Sequence, residues 1–236
     1  MKNVFLQSFN FKLQMSSTEQ QTPQPVKKGS FIQENTKSLA FIAGAIVVLI
    51  GIFIWYQGVY LTNRQEEAAS QMFKVEQFVG VDSLANKAIN GEGGYPGLEK
   101  IAAEYENTKS ANLANLYLGG IYLRKGEYKK AVDALSKYSS TGSPIADPLA
   151  LSLLGDAYSE LKDYKQAATY YKKAIDKSTN KFTSPMFLKK LGLVNETLKD
   201  FKGAEEAYTK IKTQFPESQE AQMIDSYIAR VGAQAK

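Results

Sequence analysis

The chain has 236 residues, a formal net charge of +5, and neither histidine nor cysteine. That removes the commonest general base, the thiol nucleophile and most zinc ligand sets, so a catalytic or metal-binding function has little to work with. Residues 1–61 hold five Lys and two Glu, or +3, which leaves +2 for the 175 residues from Thr62 onward, where lysines interleave with acids; this is no nucleic-acid footprint.

The first ~38 residues are rich in Ser, Thr, Gln, Pro and Lys and are expected to form a disordered tail, residues 1–37. Phe5, Leu6, Phe9, Phe11 and Leu13 differ in character from the polar stretch that Met15 opens. Met15 is therefore the expected natural start.

Residues 39–56 are an unbroken apolar run of 18, and the run reaches Leu61 if Gln57 is tolerated. At about 1.5 Å per residue, 18 residues give roughly 27 Å, enough to cross a hydrocarbon core. The predicted transmembrane helix covers residues 38–61. A cleaved signal peptide fits less well, because its apolar region is shorter and ends in small residues. This run ends in Trp55, Tyr56 and Tyr60, which suit an interfacial aromatic belt. Lys27, Lys28 and Lys37 precede it; Arg64, Glu66 and Glu67 follow. The positive-inside rule then puts the N-terminus in the cytoplasm and the rest outside, in the periplasm of a Gram-negative cell. The absence of cysteine fits an oxidising compartment without establishing one, and it excludes a lipoprotein, whose acyl chains sit on a cysteine. Ala40, Gly44, Val47, Gly51 and Gly58 fall within about 40° of one line on an ideal helix. Such a line lets another membrane helix approach; equally, glycine is simply common in membrane helices.

Beyond the span, residues 63–78 predict a long helix with Ala68, Met72, Val75 and Phe78 on one face. Residues 90–94, Asn-Gly-Glu-Gly-Gly, predict a turn; no Lys-Ser/Thr follows, so it is not a phosphate loop. Residues 95–105 read as the second half of a degraded repeat, and the segment 62–110 holds both pieces.

From Asn112 onward one pattern recurs. Leu118-Gly119-x-x-Tyr122, Leu154-Gly155-x-x-Tyr158 and Leu191-Gly192-x-x-Asn195 are separated by 155 − 119 = 36 and 192 − 155 = 37 residues. Twelve residues after each glycine stands an alanine, Ala131, Ala167 or Ala204, and four later Leu135, Tyr171 or Tyr208. Each unit predicts two antiparallel helices, in the second unit over residues 149–161 and 164–176. A helical glycine costs about 1 kcal/mol relative to alanine, so three at equivalent sites need a steric reason. The expected one is a close helix crossing, with the alanines as its small partners. Tyr128, Tyr164 and Phe201 open the second helices, after turns at Lys125-Gly126-Glu127 and Lys162-Asp163. Residues 217–231, with Ala221, Ile224, Tyr227 and Ile228, predict the closing helix that a repeat stack needs over its last apolar face.

These residues resemble the tetratricopeptide repeat family, whose units of about 34 residues share this order of small, aromatic, alanine, aromatic and proline positions. Pro216 occupies the proline place of the third unit. Asn195 departs from the expected aromatic, and Asn115, Leu151 and Leu188 stand where the family has Trp. The resemblance implies an all-α chain: a single N-terminal transmembrane helix, then a helical solenoid of three repeats with a capping helix over residues 111–236. It also implies a concave groove. Leu113, Leu116, Tyr117, Leu123 and Arg124 would line it in the first unit. Leu149, Leu153, Asp156 and Glu160 would follow in the second, and Met186, Lys189, Lys190, Leu193 and Glu196 in the third. Leu116 and Gly120 replace the first two positions of the clamp that grips C-terminal carboxylates, so an apolar helix or unfolded segment suits this lining better. The chain's own helix over residues 63–78 is the competing occupant.

A single span, a cytoplasmic tail and a divergent repeat domain outside together resemble the YfgM family, ancillary subunits of the Sec translocon. The shared stretches are residues 64–71, the Gly-Glu-Gly-Gly turn, Ala111-Asn112-Leu113-Ala114 and Phe215-Pro216-Glu217-Ser218. That resemblance implies a non-enzymatic inner-membrane scaffold with no cofactor, small-molecule substrate or nucleic acid. Its partners would be translocon subunits, a PpiD-type membrane chaperone and exported clients. The alternative is an adaptor for envelope assembly or cell division that holds one fixed protein.

Overall fold

The computed structural model describes residues 35–178 and 180–234. The expected tail up to residue 34 and the Met15 start lie outside them. The chain divides into two compact units, Met1–Ile54 and Trp55–Lys236.

Helix α1 (Thr36–Trp55), with no buried residue, makes up nearly all of the described part of the first unit and ends on the first residue of the second. Among the described residues one helix, Thr36–Val79, is long and apolar enough to cross a membrane; its most apolar window of 18 residues has a mean hydropathy of 2.6 and none of it is buried.

The second unit opens with a π-helical turn, Tyr56–Tyr60. Helix α2 (Leu61–Val79) follows and buries Ala68, Met72 and Val75. A short 3-10 turn leads into α3 (Ala85–Asn90), then the strands β1 (Gly91–Glu92) and β2 (Tyr95–Pro96) pair antiparallel. The turn between them uses Gly93 and Gly94 at positive φ, as the Gly-Glu-Gly-Gly stretch demands. Helix α4 (Leu98–Glu104) buries Leu98 and Ile101.

Three helical hairpins come next: α5 (Lys109–Arg124) with α6 (Tyr128–Ser136), α7 (Ala146–Glu160) with α8 (Tyr164–Lys177), and α9 (Thr183–Thr197) with α10 (Phe201–Gln214). Helix α11 (Ile224–Gln234) closes the stack, burying Ile224 and Val231. Helix α7 starts three residues earlier than its apolar periodicity indicates. Asp147 and Pro148 occupy its first turn, where an acid meets the positive end of the helix and a proline lacks no needed donor. Tyr128, Tyr164 and Phe201 open the second helices half-buried, as expected.

Each hairpin turn ends its first helix in one way. Gly126, Lys162 and Lys199 take left-handed φ values of 75°, 64° and 60°. The following N–H donates back to the carbonyl of Tyr122, Tyr158 or Asn195 at 2.8–2.9 Å, the closing bond of a Schellman motif. Asn195 therefore replaces the family's aromatic without disturbing the turn. Asp163 and Asp200 then cap α8 and α10 by accepting from Gln166 N–H and Gly203 N–H.

The glycines sit under the second helices, and the atoms nearest a Cβ there belong to the large side chain that follows each alanine. A Cβ on Gly155 would stand 2.5 Å from Tyr171 Cε1. Likewise one on Gly119 would collide with Leu135, and one on Gly192 with Tyr208. The notch receives the large side chain one turn past the alanine. Ala131, Ala167 and Ala204 are fully buried on that same helix.

Helix α2 extends the stack. Gln65 Nε2 donates to Ser110 Oγ at 2.9 Å, Tyr117 donates to Glu76 at 3.4 Å, and Arg124 donates to Val79 O at 2.8 Å. The contacts advance along both helices together, so α2 runs parallel to α5. Ala68, Met72 and Val75 share one core cluster with Leu98, Ile101, Ala111, Leu118 and Ile121. With α4 as its partner, α2 is the first helix of a preceding repeat. The helices thus form two rows, α2, α5, α7, α9 and α11 on one side and α4, α6, α8 and α10 on the other.

Candidate functional site

The face carrying the expected groove belongs to the first row, and its residues have different environments along the stack. Tyr117 and Arg124 are engaged by the preceding helix and the 3-10 turn after it: Tyr117 bonds Glu76, while Arg124 pairs with Asp82 at 2.9 Å and bonds the Val79 carbonyl. Leu113 and Leu123 are half-buried against the same core. Leu116 is 6% exposed and sits among Leu135, Ala150 and Leu154, in the joint between α5 and α7. It is a core side chain with almost no reach to a ligand. Leu153 packs against that cluster at its margin.

Further along, Leu149, Asp156, Met186 and Lys189 are half-buried, and Leu193 stands out at 42% exposure. Asp156 is the polar centre of this stretch. Lys190 Nζ donates to both its carboxylate oxygens at 2.7 and 2.8 Å, and the Tyr171 hydroxyl donates to Oδ1 at 2.7 Å. Burial, then the Asp156 charge and the bond to it, push the Tyr171 hydroxyl well above the ordinary tyrosine range. Glu160 is exposed at the end of α7.

Glu196 repeats this arrangement at the next joint. Arg230 on α11 forks onto it at 2.6 and 3.0 Å, and Tyr208 donates at 2.6 Å. Burial alone would raise the Glu196 carboxyl; the Arg230 and Tyr208 bonds outweigh it and hold the group below the usual range. Arg230 carries no repeat signature, and its pairing with Glu196 depends on where α11 docks.

The residues of the expected transmembrane partner face divide. Ala40, Gly44, Val47 and Gly51 lie on α1, and a Cβ on any of its glycines would meet nothing within 4 Å. Gly58 lies in the π-helical turn, whose wider winding breaks the 3.6-residue line, and it belongs to the second unit.

A cleft of about 1010 Å³ opens on the other row between α4, α5 and α6; Glu99, Glu106, Lys109, Lys130, Asp133 and Lys137 give its lining both signs of charge.

Stacked antiparallel helix pairs, glycine-notched and closed by a terminal helix, define a helical-repeat solenoid, a class built to present side chains along a surface. Residues 29–146, half of the chain, match the model of the tetratricopeptide repeat-like domain, and the chain belongs to that family. Residues 148–180 and 190–218 each match a tetratricopeptide repeat. No curated protein and no solved structure matches the chain. Tetratricopeptide domains bind protein partners, and no catalytic family is indicated, so the repeat domain is a protein-interaction scaffold.

Proposed function

We propose that the protein is a membrane-anchored scaffold of the YfgM kind. It would hold its repeats on the periplasmic side of the inner membrane, beside the Sec translocon and a PpiD-type chaperone. The observation that carries this reading is the span of the family match. One domain model covers residues 29–146, so it takes in the apolar helix and the first hairpin together. One match over both supports reading the apolar helix and the repeats as a single unit. The basic residues before the span favour a cytoplasmic N-terminus.

Binding falls to the exposed end of the first-row face, around Leu149, Asp156, Met186, Lys189 and Leu193. The face over α5 is already engaged by α2. This reading replaces a full-length groove with a half-length one.

The test is copurification from detergent, with a photoreactive residue at Leu193. Translocon subunits in the eluate and many newly exported chains cross-linked would support the proposal. One discrete partner and no exported chains would favour the envelope-assembly or cell-division adaptor.

A further inference from the structure

Ile145 and Phe182 are 61% and 88% exposed, and among the described residues Phe182 exceeds every other large apolar side chain in exposure, those of α1 included. They are not scattered. They stand 37 residues apart, each immediately before the first helix of its hairpin, and each followed three residues later by a proline, Pro148 or Pro185. The same position, occupied twice by a large apolar side chain that stays mostly exposed, is costly in water and points to a surface it meets.

The stacking identifies the edge they occupy. Gln65, near the start of α2, bonds Ser110 and accepts from the Lys109 N–H at the start of α5. Asn112 in the first turn of α5 bonds both the N–H and the carbonyl of Ser139, in the loop leading to α7. The tight hairpin turns at Lys162 and Lys199 then return each second helix to that edge. Starts of the first-row helices therefore lie along one side of the second unit. The aromatic group that opens this unit leads into that side: Arg64 lies over both the Tyr60 ring and the ring of Tyr105, shortly before α5, Tyr56 and Tyr60 stack at 5.4 Å, and Trp55 stacks on Tyr60 at 6.2 Å. Amphipathic rings of this kind collect at the membrane–water boundary.

We infer that this edge of the repeat domain rests on the lipid surface, with Ile145 and Phe182 dipping into the interfacial zone as a second contact beside the Trp55–Tyr60 belt. The inference rests on the reading of the apolar helix as a membrane span. Lys137, Lys177 and Lys181 lie in or beside the neighbouring loops against one acid, Asp176, so 3 − 1 leaves +2, which adds attraction to anionic headgroups to the apolar insertion.

The chain lacks cysteine, so single labelling sites can be introduced cleanly. Four full-length variants, Val47→Cys, Ile145→Cys, Phe182→Cys and Leu161→Cys, are labelled with an environment-sensitive fluorophore. They are then reconstituted in phosphatidylcholine vesicles containing doxyl-labelled lipid. Leu161, at the far end of α7, reports the opposite edge. The expected result is blue-shifted emission and several-fold stronger lipid quenching at 145 and 182 than at 161. Strong quenching at 47 with 145 and 182 behaving like 161 would overturn the inference and leave the anchor standing. No quenching at 47 would overturn both.

Discussion

The ring of Tyr171 occupies the space a side chain on Gly155 would need, with Cε1 2.5 Å from the place of the missing Cβ. Tyr171 is 3% exposed and tied through its hydroxyl to Asp156, so it cannot swing away. Gly155→Ala should gain the usual helix propensity and still destabilise the domain by about 1–3 kcal/mol, through overpacking. Gly80→Ala, where a Cβ meets nothing within 4 Å, is the control. Urea unfolding of the two variants checks this; equal midpoints would refute the notch.

Lys162 and Lys199 adopt the left-handed conformation that Gly126 adopts at the equivalent place. A residue with a Cβ is strained there, by roughly 1–2 kcal/mol, and glycine gives part of that back as extra freedom in the unfolded chain. Lys199→Gly should therefore raise stability by about 0.5–1 kcal/mol, read as a higher thermal midpoint. Gly126→Lys should lower it by a similar amount.

Asp147 organises the loop before α7. It is 5% exposed and accepts from Tyr138, Ser140, Thr141 N–H and Gly142 N–H, at 2.5–2.9 Å. Burial works against the charge, but these donors overcome it and hold the carboxyl far below its usual value of 3.8. A depressed folded pKa stabilises above the unfolded value and is lost as pH falls below it. The loop should loosen below about pH 4, and Asp147→Asn should remove that part of the acid dependence while destabilising at neutral pH. Unfolding midpoints from pH 7 to pH 2 for both proteins give the comparison.

Tyr171 and Tyr208 have the opposite sign. Burial first, then Asp156 or Glu196, raises both hydroxyls well above 10. A raised folded pKa stabilises fully below the unfolded value and is lost as pH rises past it. Stability should fall above about pH 10, and the double variant Tyr171→Phe/Tyr208→Phe should flatten that fall. An unchanged alkaline slope would exclude the two tyrosines as its source.

Arg230 fastens the closing helix through Glu196. Its side chain is 47% exposed, so solvent screening limits the pair to about 0.5–1 kcal/mol. Arg230→Ala should speed amide exchange in α11 more than in α5, and added salt should narrow the gap between variant and parent. Uniform exchange across both helices would count against a local role.

Much of this architecture is legible in the sequence because its signals are costly ones. Glycine in the middle of a helix is unfavourable, so Gly119, Gly155 and Gly192 announce a steric need before any contact is known. The identity of the filler is not legible. Alanine and the large residue four later lie on adjacent turns of one face, and only the crossing selects between them. Leu116 shows a second limit: a place in a repeat fixes a sector of the helix, while the depth of cover depends on the neighbour, here α7. Helix α2 could be read as helical from Ala68, Met72 and Val75, yet its parallel docking rests on Gln65, Glu76 and Arg124, whose partners are about 40 residues distant. Ile145 and Phe182 do carry a signal, their common spacing ahead of Pro148 and Pro185, but exposure is what gives it meaning.

Each joint along the first row has its own chemistry. The α2–α5 joint uses Glu76 with Tyr117, α5–α7 is apolar around Leu116 and Leu154, α7–α9 uses Asp156 with Lys190, and α9–α11 uses Glu196 with Arg230. The hairpins look alike in outline, yet shuffling them would set carboxylate against leucine or lysine against arginine. Their order in the chain is thus written into the seams between them, and a duplicated or transposed hairpin would find no matching neighbour on at least one side.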